Sequence, residues 1–131
     1  MSEENSLYPA DWTKIAQKDW GRTKFMLEKG DAEASGYFLQ QSLEKYLKAF
    51  LLQKGWELKK IHELDALLDD AVKYKPELEP YRELCERVSG YYFFDRYPRP
   101  VPSKLTIEDI ERDMKEAQGL IKMLSIERHI K

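Results

Sequence analysis

The sequence predicts an all-α fold, a bundle of four to five helices running up and down, and three observations carry that expectation. Apolar residues recur at three- and four-residue spacing through most of the chain, and no stretch of useful length alternates with the period of a strand. The strongest breaks, Lys29-Gly30, Lys54-Gly55, Pro76 with Pro80, and the prolines at 98, 100 and 102, fall between the periodic segments. The segment from Tyr37 to Leu52 is apolar on all but one narrow strip, so it needs neighbours on several sides, which a bundle supplies.

The first helix is expected from about Asp11, as N-cap, to Glu28, with Lys29-Gly30 as its stop. Trp12, Ile15, Ala16, Trp20, Thr23 and Leu27 share one face and leave Lys14, Lys18 and Arg22 outside. Asp31 is placed to cap a second helix that ends near Lys54, where Gly55 can take the left-handed conformation that closes it. Leu39, Leu43, Tyr46, Leu47 and Phe50 form its apolar arc, and Gln40, Gln41, Glu44, Lys45 and Lys48 form the remaining strip. A short third helix over 62–73 carries Leu64, Leu67, Leu68 and Val72. A fourth follows the Pro76 and Pro80 breaks with Leu78, Tyr81, Leu84, Val88 and Tyr91 or Tyr92 inward, and ends by Tyr97 because Pro98 disfavours a helical residue before it. Arg96 to Pro102 reads as a proline-stiffened elbow. Thr106, with Asp109 three residues on, opens a last helix striped by Ile107, Ile110, Met114, Ala117, Ile121 and Leu124.

At 131 residues and 42% hydrophobic content the chain is expected to form one domain, 1–131, with its core over about 11–126. The formal net charge of −2 gives no general attraction for nucleic acid, so any such contact has to be a local patch. Cys85 is the one cysteine, which excludes an internal disulfide and a thiolate zinc cluster. No segment has the unbroken apolar length of a membrane span, and the first residues lack a signal-peptide pattern, so a cytoplasmic protein with no membrane contact is expected.

Three features could carry chemistry. In Tyr91-Tyr-Phe-Phe-Asp-Arg-Tyr-Pro-Arg-Pro, Arg96 and Tyr97, with Tyr92 and Arg99 beside them, could present a guanidinium and a ring to a phosphate and a base. The commoner role of such clusters is structural, with the aromatics in the core and Arg96 tied to Asp95, Glu44 or a carbonyl. The strip Gln41, Glu44, Lys45 and Lys48 reads as a solvated helix face with an ordinary Glu44–Lys48 pair worth about 0.3–0.5 kcal/mol, or as a hydrogen-bonding patch facing the elbow. His62 sits at a helix start, as a cap or buried hydrogen-bond partner, or as an accessory to that patch. His129 is two residues from the end of the sequence. Cys85 reads as a small core residue. His62-Glu-Leu-Asp-Ala departs from the metalloprotease His-Glu-x-x-His, and neither a nucleotide-binding glycine loop nor a Gly-x-Ser-x-Gly elbow occurs. Neither a catalytic residue, a metal site nor a cofactor is expected.

Three blocks together resemble the HEPN family of small helical domains (higher eukaryotes and prokaryotes nucleotide-binding). They are Ala16-x-x-Asp19; Phe38-x-Gln-Gln-x-x-Glu-Lys-x-x-Lys-Ala-x-Leu-Leu52 with Gly55 and His62-x-Leu; and Tyr92-x-x-x-Arg-Tyr-Pro98. The resemblance spans about Trp12 to Leu124. It implies a four- or five-helix bundle, often a homodimer, encoded beside or fused to a minimal nucleotidyltransferase in toxin–antitoxin or defence systems. Many relatives are metal-independent ribonucleases in which an arginine, followed four to six residues later by histidine, steadies phosphate while the imidazole moves protons.

This chain departs from that pattern. Residues 55–57, ahead of His62, are Gly-Trp-Glu, and 122–124, ahead of His129, are Lys-Met-Leu; counting forward from Arg87 reaches Tyr92, Phe93 and Phe94. The motif is absent, and with it the source of a roughly 10²–10⁴-fold acid–base contribution. The expectation is a non-catalytic module that binds nucleotide or RNA, or docks a nucleotidyltransferase, through Arg96, Tyr97, Lys45, Gln41 and Lys48, with His62, Tyr92 and Arg99 as accessories. Two alternatives stand beside it: an atypical ribonuclease pairing Arg96 with His62, and a structural homodimer joined by the aromatic elbow.

Overall fold

The computed structural model describes residues 6–91 and 104–125, and within them every regular element is helical. The elements are α1 (Pro9–Glu28), α2 (Ala32–Gln53), α3 (Leu64–Tyr74), a 3₁₀ helix (Pro76–Tyr81), α4 (Arg82–Ser89) and α5 (Ile107–Leu124). The elbow, with Tyr92, Arg96, Tyr97 and Arg99, and His129 lie outside the described residues.

Helix starts and stops follow local chemistry. The Asp31 carboxylate accepts the Ala34 N–H at 3.0 Å, and Thr106 with Asp109 forms a complete capping box. Both glycine stops are Schellman motifs. Gly30 and Gly55 take φ of +79° and +87°; Gly30 N–H donates to Leu27 O and Asp31 N–H to Met26 O, while Gly55 N–H donates to Leu52 O and Trp56 N–H to Leu51 O. Two starts differ from expectation. Helix α1 opens at Pro9, because a proline at the first position costs no hydrogen bond there, and Asp11 instead accepts the Ser6 hydroxyl at 2.6 Å. Helix α3 opens at Leu64, not His62, and its N–H is satisfied by Ser89 Oγ from α4 at 2.7 Å.

Helix α2 is the hub: it packs against α1, α3, α4 and α5. Its pairing with α1 is antiparallel and close, since Ser42 Oγ donates to Ala16 O and Ser35 Oγ to Thr23 O, each at 2.8 Å. Gly36 lets the same helix approach the far side of the bundle. A Cβ there would lie 2.9 Å from Leu105 Cδ2 and 3.3 Å from Tyr91 Cβ. One apolar cluster runs from Leu39, Leu43, Leu47 and Leu51 through Leu64, Leu67 and Leu68 to Leu84, Val88, Ile110 and Leu120. Cys85 lies in it fully buried, with burial pushing its thiol up to about 12, so it packs as an inert small side chain. Among the described residues no helix is long and apolar enough to cross a membrane.

Candidate functional site

The strip on α2 is not a solvated face. Glu44 and Lys48 keep only 2% and 4% of their surface, and Gln40 is fully buried. Spacing explains how they meet: Gln40, Glu44 and Lys48 follow at four-residue intervals, as do Gln41 and Lys45, so the two rows lie side by side. What closes over them is the stretch between α2 and α3, which brings His62 against Glu44, together with Trp12 of α1, whose ring centroid lies 5.4 Å from Lys48 Nζ.

The side chains form one continuous relay. Lys45 Nζ donates to Gln41 Oε1 at 2.9 Å, Gln41 Nε2 to Gln40 Oε1 at 2.6 Å, and Gln40 Nε2 to Glu44 Oε1 at 3.3 Å and to the His62 carbonyl at 2.7 Å. Lys48 Nζ donates to Glu44 Oε2 at 3.0 Å. The His62 Nδ1 atom stands 3.3 Å from both Glu44 oxygens. Glu44 is thus a buried carboxylate saturated by its surroundings, as a buried charge has to be. Lys45 Nζ lies 3.9 Å from Glu44 Oε2, and its side chain keeps 13% exposure. Two ammonium groups against one carboxylate leave a surplus positive charge.

Of the residues expected to contact a ligand, Gln41, Lys45, Lys48 and His62 come together here. The geometry separates their roles: Lys48 is enclosed and neutralised by Glu44, Lys45 and Gln41 form a partly buried rim, and His62, its side chain 54% exposed, is the member most open to water. In the sequence Gln40 is one more member of a polar strip. In the structure it is the joint of the relay, and the signal for that is its place four residues before Glu44 and one before Gln41.

A second buried charge, absent from the sequence reading, lies between α4 and α5. Asp113, fully buried, accepts from Arg87 Nε at 3.1 Å and Nη2 at 3.0 Å, from Arg112 Nε at 3.1 Å and from the Tyr91 hydroxyl at 2.5 Å. Burial, then the bond to Asp113, raises the Tyr91 phenol far above its ordinary value. Arg87, from which the nuclease spacing is counted, also reaches Glu116 at 3.2 Å. An open cleft of about 310 Å³ lined by Trp20, Tyr46, Gln118, Ile121, Lys122 and Ser125 shares no residue with either cluster. Among the described residues no group of histidines, cysteines and acids is arranged to hold a metal ion.

Comparison with known proteins agrees with this architecture. The solved structure of TT1696 from Thermus thermophilus superposes with a TM-score of 0.74 at 24% identity, over 88% of this chain and 94% of that one, which shows a shared fold. No curated protein sequence matches significantly. The family model described as HEPN domain matches residues 9–128, and so takes in all five α-helices. The chain therefore belongs to the HEPN domain family.

Proposed function

We propose that this chain is a non-catalytic HEPN module that binds nucleotide or RNA, or docks a minimal nucleotidyltransferase, at the rim of the α2 relay. The reading rests on one observation above the rest: Lys45 is a surplus cation fixed by Gln41 beside a carboxylate already satisfied by Lys48, Gln40 and His62. An anionic group reaching that rim meets a preorganised ammonium and pays little ordering entropy. Arg96 and Tyr97, with Tyr92 and Arg99 as accessories, belong to the same proposal on the Arg-Tyr-Pro block and lie outside the described residues. Pairing with a nucleotidyltransferase in a toxin–antitoxin or defence setting, in the cytoplasm and as a homodimer, belongs to the same proposal. The test is NMR titration of labelled protein with a nucleoside monophosphate, together with affinity capture. Shifts at Gln41, Lys45 and His62 and at Arg96 and Tyr97, or recovery of a nucleotidyltransferase, are expected; neither occurring would reject the reading.

The contact between Glu44 and His62 Nδ1 favours a second reading. A carboxylate that holds one imidazole nitrogen orients the ring for acid–base work, which is the atypical, metal-independent ribonuclease. Incubation of labelled RNA without added metal decides it: cleavage that survives His62→Ala at wild-type rate removes His62 from any mechanism.

A further inference from the structure

Helix α1 carries another charged surface, on its exposed side, with Arg22 at the edge that meets α2. Lys14, Lys18, Arg22, Phe25 and Lys29 follow at intervals of three and four residues and so share one outer face. All five are exposed, Phe25 by 52%. Between Lys14 and Lys29 the sequence holds two acids: Asp19, which is buried and occupied by Arg22 at 2.7 Å, and exposed Glu28. Lys14 and Lys18 form no ion pair among the described residues. The Lys29 ammonium stands 5.2 Å from the Phe25 ring centroid, and the Arg22 guanidinium 5.9 Å from the ring of Phe38 on α2. Three cations thus precede the ring of Phe25 along this face and one follows it.

One exposed apolar residue needs no explanation by itself. Phe25 is informative because it lies inside a cationic stripe, one turn from Arg22 and one from Lys29. We propose that this face binds single-stranded nucleic acid, with Lys14, Lys18 and Lys29 tracking the phosphodiester backbone and a base stacked on Phe25. Cations one turn apart are separated by about 6 Å along the axis, close to the separation of successive phosphates on an extended strand. Backbone-tracking cations interleaved with a ring are the elements by which proteins hold single strands without reading sequence. An acidic polypeptide would satisfy the lysines but leave the ring unused, and a duplex offers phosphates without an open base face. This surface is separate from the α2 relay, and the proposal does not depend on the reading given for that site.

The test is fluorescence anisotropy of a labelled short oligothymidine across a salt series. With three phosphates engaged, the log–log dependence of affinity on salt has a slope of about −2. Lys14→Gln with Lys18→Gln is expected to reduce it to about −0.7. Phe25→Ala is expected to weaken binding about tenfold at unchanged slope, while Lys115→Gln, at an exposed lysine of α5 outside both surfaces, leaves both quantities as they were. Every substituted α1 side chain is exposed, so an unchanged melting temperature serves as the control for folding. Three results would overturn the proposal: no salt-dependent binding, binding that responds to Lys45→Gln but not to the α1 variants, or polyglutamate competing as well as the oligonucleotide with no effect of Phe25→Ala. The last would assign the face to an acidic protein.

Discussion

The two buried carboxylates of this bundle, Glu44 and Asp113, are satisfied in opposite ways. Around Asp113 acids are in the majority: Arg87 and Arg112 face Asp113, Glu116 and Asp109, and Tyr91 adds a neutral donor. Around Glu44 cations are, because Lys45 and Lys48 share one carboxylate. Their wiring differs too. Apart from Arg112, the Asp113 contacts join residues more than twenty positions apart, whereas most of the Glu44 relay runs along a single helix and only His62 comes from elsewhere. A long-range cluster with an excess of acid fastens α4 to α5. A helix-borne one with an excess of base sets out a positive charge. The same chemical device, a buried acid with basic partners, serves as a latch in one place and as a platform in the other.

The largest effect that probes this contrast is expected from Glu44→Gln. The amide keeps the shape, but Lys48, 4% exposed, loses its counter-ion and has no route to water. Removing one partner of such a pair costs about 3 kcal/mol, which denaturant unfolding would read as a lowered midpoint. The platform view adds a second expectation: with the carboxylate gone the surplus charge grows, so affinity for an anion per folded molecule rises. Asp113→Asn is expected to cost less, about 2 kcal/mol, because the Arg87 and Arg112 side chains, 34% and 55% exposed, can turn to solvent. It should leave anion binding at the α2 rim unchanged. If the two variants behaved alike in both assays, the distinction between latch and platform would collapse.

How much of this was legible in the sequence follows from the same difference. Helix-borne features were readable: the glycine stops at Gly30 and Gly55, the Thr106–Asp109 capping box, and the apolar faces of α2 and α5 are local patterns and the structure has them. The grouping of Gln41, Glu44, Lys45 and Lys48 was readable for the same reason. Their burial was not, since it depends on where the chain between α2 and α3 lies, which no periodicity encodes. Asp113 was harder still. It sits one residue from the Met114 stripe and has the composition of a surface acid, and its partners Arg87 and Tyr91 lie on the other side of the proline elbow. The early start of α1 at Pro9 shows the reverse case, in which a strong capping residue, Asp11, was used by Ser6 instead.

Tyr91→Phe tests the latch alone, with a smaller expected cost of about 1 kcal/mol for the lost hydrogen bond. Its pH dependence carries the sharper information. The folded-state phenol is raised above the ordinary 10.0, so the wild type keeps its full stability below that value. Stability is then lost as pH rises beyond it, where the unfolded chain releases a proton that the folded chain retains. The Phe variant has no such proton. Its alkaline unfolding limb should be flatter than that of the wild type, measured as thermal midpoint against pH above neutrality.

The smallest effect on stability, and the most decisive for function, is expected from Lys45→Gln. Lys45 is bonded to Gln41 and sits 3.9 Å from a carboxylate that Lys48 already neutralises, so its removal leaves no buried charge unpaired. The cost should fall below about 0.5 kcal/mol, as for other weakly coupled helix pairs. If the rim is a platform, nucleotide-induced shifts at Gln41 and His62 vanish in this variant although the fold is intact. If Lys45 belongs to the structural network instead, the result inverts: the melting temperature falls toward that of Glu44→Gln and nucleotide titration is the same before and after. A residue cannot be dispensable to the fold and to the ligand at once while remaining the site, so an unchanged melting temperature with unchanged shifts would remove the α2 rim from consideration altogether.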